Sequence, residues 1–249
     1  MRDIDKYTRD YNQSNFEDYQ LCYRRRKIIE FMDKYKPQSI LEIGCGMQPL
    51  FQFLNHEFKN YVIVEPSNVF FENAKQLSRD DKRIICYNNY FGIDNIDLSD
   101  CYNMIVCSSL LHEVENPDRL VKSLKDVSNP NTIIHINVPN ANSFHRLLAN
   151  EMGLIEDEHE MSGRNVLYQQ HNVFDRQLLK ELLIGEGFEI LDEGSYFIKP
   201  FTHGQMYEMM KKGIIDEKVL DGLYAMVKYM SDLGSEIYVN CRYNRNIEN

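Results

Sequence analysis

A chain of 249 residues with 43% hydrophobic side chains is long enough for one α/β domain with its own core and short for two. The formal net charge of −10 argues against sequence-independent binding of nucleic acid, which depends on clustered lysine and arginine side chains. No apolar run approaches the roughly 20 residues that cross a bilayer, and the first residues lack the apolar core of a signal peptide. We therefore expect a single cytoplasmic domain, residues 1–249, that acts on a small molecule.

The cysteines point to a reducing environment. All 6 are scattered, and no two form a C-x-x-C pair. In a chain of this size without an export signal, reduced thiols are expected rather than a disulfide framework. No spacing of His, Asp and Glu indicates a metal site, so we expect neither disulfides nor a bound metal.

The N-terminal residues 1–36 are predicted to form a helical cap ahead of the first strand. Between residues 15 and 35 apolar side chains return every three or four positions, and Pro37 prevents continuation of the helix. Within the helix, Arg24-Arg25-Arg26 is a basic cluster. A solvated helix face explains it; alternatively, one of these arginines, or a tyrosine such as Tyr11, closes over a bound ligand, since arginine offers a bidentate fork for carboxylate or phosphate.

A strand, a glycine turn and a helix are predicted between residues 39 and 54. The run Ile40-Leu41-Glu42-Ile43 is typical of a buried strand, it breaks at Gly44-Cys45-Gly46, and residues 50–54 follow with helical spacing. Glycines let the chain turn sharply and let a ligand approach the backbone closely. A nucleotide-like cofactor would fit over such a turn.

Two departures narrow the choice of cofactor. The dinucleotide fingerprint has a third glycine where this chain has Pro49, which weakens a nicotinamide or flavin interpretation. The phosphate-binding loop of nucleotide triphosphatases ends in Gly-Lys-Ser/Thr, and no such ending follows here. What remains is Glu42, two positions before the first glycine, where a carboxylate suits a cationic ligand.

The string Leu41-Glu42-Ile43-Gly44-Cys45-Gly46 resembles motif I of the class I S-adenosylmethionine-dependent methyltransferases. In that family the glycine turn lies against the methionine part of the cofactor, and the acid before it helps to place the amino end. The resemblance, which covers roughly residues 28–197, implies S-adenosyl-L-methionine as the cofactor and S-adenosyl-L-homocysteine as its product.

The next predicted strand, residues 61–65, ends in Glu65-Pro66. In doubly wound sheets, ligands bind at the carboxyl ends of strands, and an acid about 20 positions beyond the glycine turn can accept both ribose hydroxyls. Glu65 has this spacing, and it matches the family's second motif. After a third strand, residues 83–87, Asn89 stands where the family usually carries an acid that contacts adenine, and an amide can still bond to an adenine edge.

The fourth predicted strand, residues 102–107, leads into Ser108 and then Leu-His-Glu-Val-x-Asn-Pro at residues 111–117. This string is similar to the post-strand motif of the ubiquinone-type small-molecule methyltransferases, which commonly place the acid before the histidine. Here the order is reversed, His112 and then Glu113. The resemblance leaves open which of the two faces the transferred methyl group.

The remaining elements complete a plan that the resemblance implies. A fifth strand is predicted over residues 132–140, with His135 as a core histidine, a sixth over 188–198 and a last over 236–241. The family's plan is a Rossmann-like α/β fold, a seven-stranded, mostly parallel sheet with helices on both faces and an antiparallel last strand. Residues 140–174 and 203–233 are too long for plain connections and are predicted to be lid or substrate insertions.

The predicted chemistry is methyl transfer to a hydroxyl oxygen, which needs a general base because a hydroxyl is a poor nucleophile until its proton leaves. His112 is the first candidate and His145 the second, with His171 behind them. A local positive patch in an acidic chain suggests a phosphate or carboxylate on the acceptor, such as a nucleotide-linked or phosphorylated sugar or a polysaccharide precursor. The residues of this patch are Arg146, Arg164, Lys199 and His203.

The predicted contact residues divide into those for the cofactor and those for the substrate. Cofactor contacts are predicted for Glu42, Gly44, Cys45, Gly46, Glu65, Pro66, Asn89, Ser108, Tyr11 and Arg25. Substrate contacts are predicted for Glu113, Arg146, Arg164, His171, Lys199 and His203. Alternatives left open are an N-methyltransferase, a non-catalytic cofactor-binding module, a nicotinamide oxidoreductase and a nucleic-acid or protein methyltransferase, in a monomer or a homodimer.

Overall fold

A seven-stranded sheet runs through the part of the chain that the computed structural model describes, residues 3, 4, 6, 16–98 and 102–244. The strand order is β3-β2-β1-β4-β5-β7-β6. The strands are β1 (Ser39–Ile43), β2 (Asn60–Val64), β3 (Ile84–Tyr87), β4 (Met104–Ser108), β5 (Ile133–Pro139), β6 (Phe188–Tyr196) and β7 (Glu236–Tyr243).

The five neighbouring strands β3, β2, β1, β4 and β5 pair in parallel. Strand β7 pairs antiparallel with both β5 and β6. The predicted fold class is thereby confirmed. Because the chain runs outward from β1 toward β3 and then returns to β4 on the other side, the strand order reverses between β1 and β4. The connections that follow β1 and β4 run in opposite directions, and this opens a crevice at the carboxyl ends of the two strands.

Helices surround the sheet. They are α1 (Glu17–Tyr35), α2 (Asn68–Ser78), α3 (Pro117–Asp126), α4 (Phe144–Glu151), α5 (Gly163–Leu167), α6 (Arg176–Gly185), α7 (His203–Lys211) and α8 (Glu217–Ala225). None of the helices in the described ranges is long and apolar enough to span a membrane.

Each central strand contributes to two apolar clusters, because successive side chains of a strand point to opposite faces. Leu41 belongs to the cluster that contains Leu120 of α3 and Leu179 of α6. Its neighbour Ile40 belongs to the cluster that contains Ile28 of α1 and residues of α2. A sheet covered on both faces has apolar strands without alternation, which is the pattern of residues 40–43 and 61–64.

Two sequence-based boundaries are wrong. Residues 50–54 form only a single 3-10 turn, Leu50–Phe53, instead of a helix. The turn ends because Leu54 is extended, with φ of −69° and ψ of 134°, and β2 follows from Asn60. Strand β6 ends at Tyr196 rather than at residue 198, since Phe197 has a left-handed φ of 59°, which breaks the extended conformation.

The two predicted insertions contain short helices. Helices α4 and α5 lie in residues 140–174, and α7 and α8 lie in 203–233. Helices α7 and α8 pack through Met206 and Leu220 against Tyr23 of α1 and Phe197 beyond β6, in a third apolar cluster. This packing fixes the start of α1 and the end of β6 beside each other, at the carboxyl edge of the sheet.

A buried ion pair reinforces that junction. Glu236, the first residue of β7, accepts hydrogen bonds from Arg24 at 2.6 and 2.8 Å and from Gln20 at 2.9 Å, both in α1. It also accepts one from Asn137 of β5 at 3.0 Å and one from Tyr196 of β6. Glu236 is 2% exposed and Arg24 is 8% exposed. A single carboxylate thus connects one helix and three strands.

We expect Arg24→Met to lower the free energy of unfolding by about 3–5 kcal/mol, because the charge of Glu236 would stay buried without its cation. Arg26→Met is the matched control on the same helix. Arg26 is half exposed and pairs with Asp221 at 3.0 Å, so its loss should cost at most about 1 kcal/mol. Urea denaturation of both variants measures the difference, and equal losses would contradict the importance of the buried pair.

Candidate active site

The glycine turn opens the crevice at the end of β1. Gly44 and Gly46 have left-handed φ values of 76° and 58°, and the Gly44 N–H donates to the carbonyl of Val64 at 2.9 Å. A Cβ built on either glycine would meet no atom within 4 Å. Glycine is therefore required here by the backbone conformation, and the space in front of the turn is left to a cavity of about 280 Å³.

Glu42 lines this cavity as a buried carboxyl group. The Tyr61 hydroxyl donates to it at 2.7 Å, and the Leu50 N–H donates at 3.2 Å. Burial nevertheless raises the pKa of Glu42 to about 8. The group is thus ready to ionise when a cation arrives beside it.

Glu65, at the end of β2, ties the glycine turn to the second strand. Its carboxylate accepts hydrogen bonds from the N–H groups of Cys45 at 2.9 Å and Gly46 at 3.2 Å. The Ser67 N–H donates to the other oxygen at 2.8 Å. Burial raises the pKa of Glu65, and these three N–H donors oppose the rise. Glu65 therefore both shapes the turn and lines the cavity.

The exit of β4 forms the next part of the cavity wall, where Ser108, His112 and Glu113 all lie. The His112 ring is buried, with Nε2 3.8 Å from the Glu113 carboxylate. The His112 carbonyl accepts hydrogen bonds from the N–H groups of His171 at 2.9 Å and Asn172 at 3.1 Å. The loop after α5 is thereby fastened to the exit of β4.

Basic side chains from the two insertions and from the segment after β6 form the remaining wall. They are His145 and Arg146 of α4, Arg164 of α5, Lys199 beyond β6 and His203 of α7. The Arg146 guanidinium donates to the carbonyls of Glu158 at 2.7 Å and Glu160 at 2.6 Å. Arg164 donates to Glu17 at 3.1 Å. The predicted positive patch is thus brought into one cavity with the glycine turn.

Glu17 and His203 connect this wall to α1. The Glu17 carboxylate contacts Arg24 at 3.1 Å, Arg164 at 3.1 Å and His203 Nε2 at 3.2 Å. Burial alone would raise the pKa of Glu17, but Arg24 and the hydrogen bond to His203 hold it far below its usual value. Glu17 is therefore a permanent anion at the base of the basic wall.

Burial also lowers the pKa values of the lysine and the two histidines of this wall. It lowers the pKa of Lys199 to about 7 and that of His203 to about 4, and nearby cations add to both effects. The pKa of His145 lies well below its usual value for the same reasons, burial and then Lys199. At neutral pH both histidines are uncharged, and Lys199 exchanges its proton readily.

Among the predicted contact residues that the structure describes, all but Asn89 and His171 line the cavity. Asn89 instead donates to Asp94 at 3.3 Å, and the His171 side chain is exposed. Tyr11 lies outside the described residues. Arg25 lines the cavity with its guanidinium stacked 3.7 Å from the centre of the Phe53 ring and bonded to Gln48. The roles assigned to all these residues, including His112 and His145 as bases, stay predictions.

Sequence reasoning missed the acids and amides that build the wall. Among the cavity-lining residues not predicted are Glu17, Gln20, Asn140 and Glu236. The seven-residue spacing of Glu17 and Arg24 places both on one helix face, a signal that was available. The partnership with Glu236 was not visible, because 212 residues separate it from Arg24.

Comparison with known proteins decides the family. A family model described as a methyltransferase domain matches residues 15–193. The chain belongs to the class I S-adenosylmethionine-dependent methyltransferases. It is an enzyme of that family, and its cofactor is S-adenosyl-L-methionine. No curated protein sequence matches it.

Solved methyltransferases share the fold at low sequence identity. A SAM-dependent methyltransferase from Thermotoga maritima, described as a possible histamine N-methyltransferase, is 14% identical with a TM-score of 0.62, over 96% of this chain and 98% of that one. A putative one from Listeria monocytogenes is 12% identical with a TM-score of 0.57, over 89% and 97%. The N-methyltransferase NodS from Bradyrhizobium japonicum is 10% identical with a TM-score of 0.56, over 92% and 97%, and has also been solved with S-adenosyl-L-homocysteine.

The residues at the turn are compatible with this cofactor, which supplies a methyl group on a positively charged sulfur when bound. The left-handed glycines leave open space where side chains would obstruct it. Glu42 would hold the amino group of its methionine part, and Glu65 would accept from its ribose hydroxyls. Glu42 keeps an unused acceptor site for this contact, since a carboxylate offers about four and only the Tyr61 hydroxyl and the Leu50 N–H donate to it.

The first prediction for this site concerns pH. Because the pKa of Glu42 is about 8, binding a cationic amino group below that pH must release a proton. We expect the Kd of S-adenosyl-L-homocysteine to rise by roughly tenfold for each pH unit lost between 8 and 6. Calorimetry at several pH values measures this slope. Glu42→Gln should bind weakly with no slope, and a flat profile for the wild type would disprove the coupling.

The second prediction compares two glycines with similar backbones. Gly46→Ala should cost about 1 kcal/mol of stability for its left-handed φ and weaken S-adenosyl-L-homocysteine binding at least tenfold, because the methyl group enters the cavity. Gly213, after α7, has a φ of 65° and equally open surroundings but does not line the cavity. Gly213→Ala should show the same stability loss with unchanged affinity. Equal affinity in both variants would show that the cofactor does not bind against the turn.

Proposed function

We propose that this enzyme transfers the methyl group to a hydroxyl oxygen of a small anionic molecule, such as a phosphorylated or nucleotide-linked sugar or a polysaccharide precursor. The observation that carries the proposal is the state of Arg146. Its half-buried guanidinium lines the cavity and donates hydrogen bonds to two neutral backbone carbonyls, those of residues 158 and 160. No carboxylate of the described residues lies within ion-pair distance of it, so a charge on the substrate would complete the site.

The surrounding groups favour the same kind of acceptor. The carboxylates of the basic wall, Glu17 and Glu236, are already engaged by Arg24 and its neighbours. An amine would arrive as a cation and face Arg146 and Arg164 at close quarters, which disfavours nitrogen as the acceptor atom. A neutral hydroxyl on an anionic molecule meets no such repulsion. The likeness of residues 111–117 to the ubiquinone-type enzymes also supports a small-molecule acceptor.

The activity test is release of S-adenosyl-L-homocysteine in the presence of a panel of acceptors. The panel contains sugar phosphates, nucleotide-linked sugars and hydroxylated carboxylic acids, with neutral phenols and amines for comparison. We expect turnover, and an increase in melting temperature, only with the anionic members. Turnover confined to neutral phenols or to amines would overturn the proposal and leave the family assignment intact.

Substitution of Arg146 separates its charge from its hydrogen bonds. Arg146→Met should raise the KM of the anionic acceptor at least tenfold, whereas Arg146→Lys should stay within about threefold, because an ammonium keeps the charge. Both variants lose the pair of guanidinium hydrogen bonds to the carbonyls of residues 158 and 160. If that loop alone mattered, the two variants would be equally impaired. Arg176→Met, which removes a cation paired with Asp232 away from the cavity, is the control.

A further inference from the structure

Three side chains from distant parts of the chain form a line of hydrogen bonds in the basic wall. Lys199 Nζ lies 2.9 Å from His203 Nδ1, and His203 Nε2 lies 3.2 Å from the Glu17 carboxylate. All three residues line the cavity that contains the glycine turn. Lys199 is 4% exposed, so its amine meets the cavity rather than bulk water.

Glu17 fixes the direction of these hydrogen bonds. Because Arg24 and Arg164 keep it ionised, Glu17 can only accept, and His203 Nε2 must carry the proton that is donated to it. His203 Nδ1 is then an acceptor, and a Lys199 N–H donates to it. The histidine thus orients the amine, in the way that a buried acid orients a catalytic imidazole through its ring.

The charges that face Lys199 come from every neighbouring element. Arg24 and Glu17 belong to α1, Arg164 to α5 and Glu236 to β7, with His145 of α4 and His203 of α7 beside them. Both carboxylates are engaged by arginine, and neither lies within ion-pair distance of Lys199. A neutral amine is therefore stable here, and its lone pair is left over after the N–H bond to His203.

We propose that Lys199 is the general base of the methyl transfer and that His203 and Glu17 position it. The inference rests on the proposed function, because it requires an acceptor hydroxyl. Lys199 Nζ takes the hydroxyl proton and becomes an ammonium. The oxygen electron pair forms the new bond to the methyl carbon, and the carbon–sulfur bond breaks with its pair left on sulfur. The ammonium returns its proton to solvent after the product leaves.

Lys199 suits this role better than His145, the second histidine that the sequence suggested. A general base works best when its pKa lies near the working pH. The pKa of Lys199 is about 7, whereas that of His145 lies well below its usual value, so His145 holds a proton too weakly. Arg146 then carries the charge that binds the anion, and Lys199 is free for the proton.

The first experiment needs no acceptor and uses the enzyme with S-adenosyl-L-homocysteine. Lysines labelled with carbon-13 at Cε are titrated by NMR, and the Lys199 signal is assigned as the one missing from Lys199→Arg. We expect it to titrate near pH 7, while exposed Lys212 titrates near its ordinary value of about 10.4. A Lys199 titration above pH 9 overturns this inference and leaves the proposed function standing.

The second experiment measures turnover with the anionic acceptor that the panel identifies. Lys199→Arg keeps the positive charge but cannot lose a proton, so its kcat should fall at least 100-fold while S-adenosyl-L-homocysteine still binds. Lys212→Arg should be unchanged. In the wild type with saturating S-adenosyl-L-methionine, kcat/KM for the acceptor should fall tenfold for each pH unit below 7. Retention of kcat within threefold by Lys199→Arg would show that the lysine is an anion anchor and overturn the inference.

The role of His203 has its own variants. His203→Gln offers an amide oxygen to the Lys199 N–H and should keep kcat within about threefold, whereas His203→Ala should lower it at least tenfold. The acidic limb of the kcat/KM profile should shift in His203→Ala and stay in place in His203→Gln. If the two variants behave alike, with an unmoved limb, the histidine does not position the base.

Discussion

The buried contact between Glu236 and Arg24 is the constraint on which the site depends. Because Arg24 is bound at the start of β7, the first turns of α1 must lie across the carboxyl edge of the sheet, with Glu17 facing α5 and α7. The glycine turn comes from β1 and would form without this contact. The basic wall would not, since Glu17, which pairs with Arg164 and His203 of that wall, is carried by α1.

Burial determines the ionisation of this site more than pairing does. It pushes both Glu42 and Lys199 toward their neutral forms, at opposite signs of charge, with pKa values of about 8 and 7. Side chains that are neutral in the free enzyme and charged only with a ligand or a transferred proton cost less to bury than permanent ions. Glu17 is the opposite case, because three cationic or donor groups surround it.

The sequence was informative where function depends on neighbouring positions. The turn at Gly44 and Gly46, the acid at Glu65 and the seven strands follow from local patterns and from the family resemblance. The sequence does not predict contacts between residues that are far apart in the chain. It indicates Glu236 only as the start of a strand. Asn89 is predicted as a cofactor contact from its position in a motif. Its side chain instead donates to Asp94, because of a loop geometry that no sequence pattern encodes.

The residues around the cavity come from both halves of the chain, from Glu17 to Glu236. During synthesis on the ribosome, the parallel strands β1 to β5 are all available before β7 emerges. A nascent chain at that stage has the glycine turn but leaves Arg24 without its carboxylate and β5 with an open edge. Since β7 closes that edge and binds Arg24 in the same step, the insertion of one late strand both completes the sheet and assembles the basic wall.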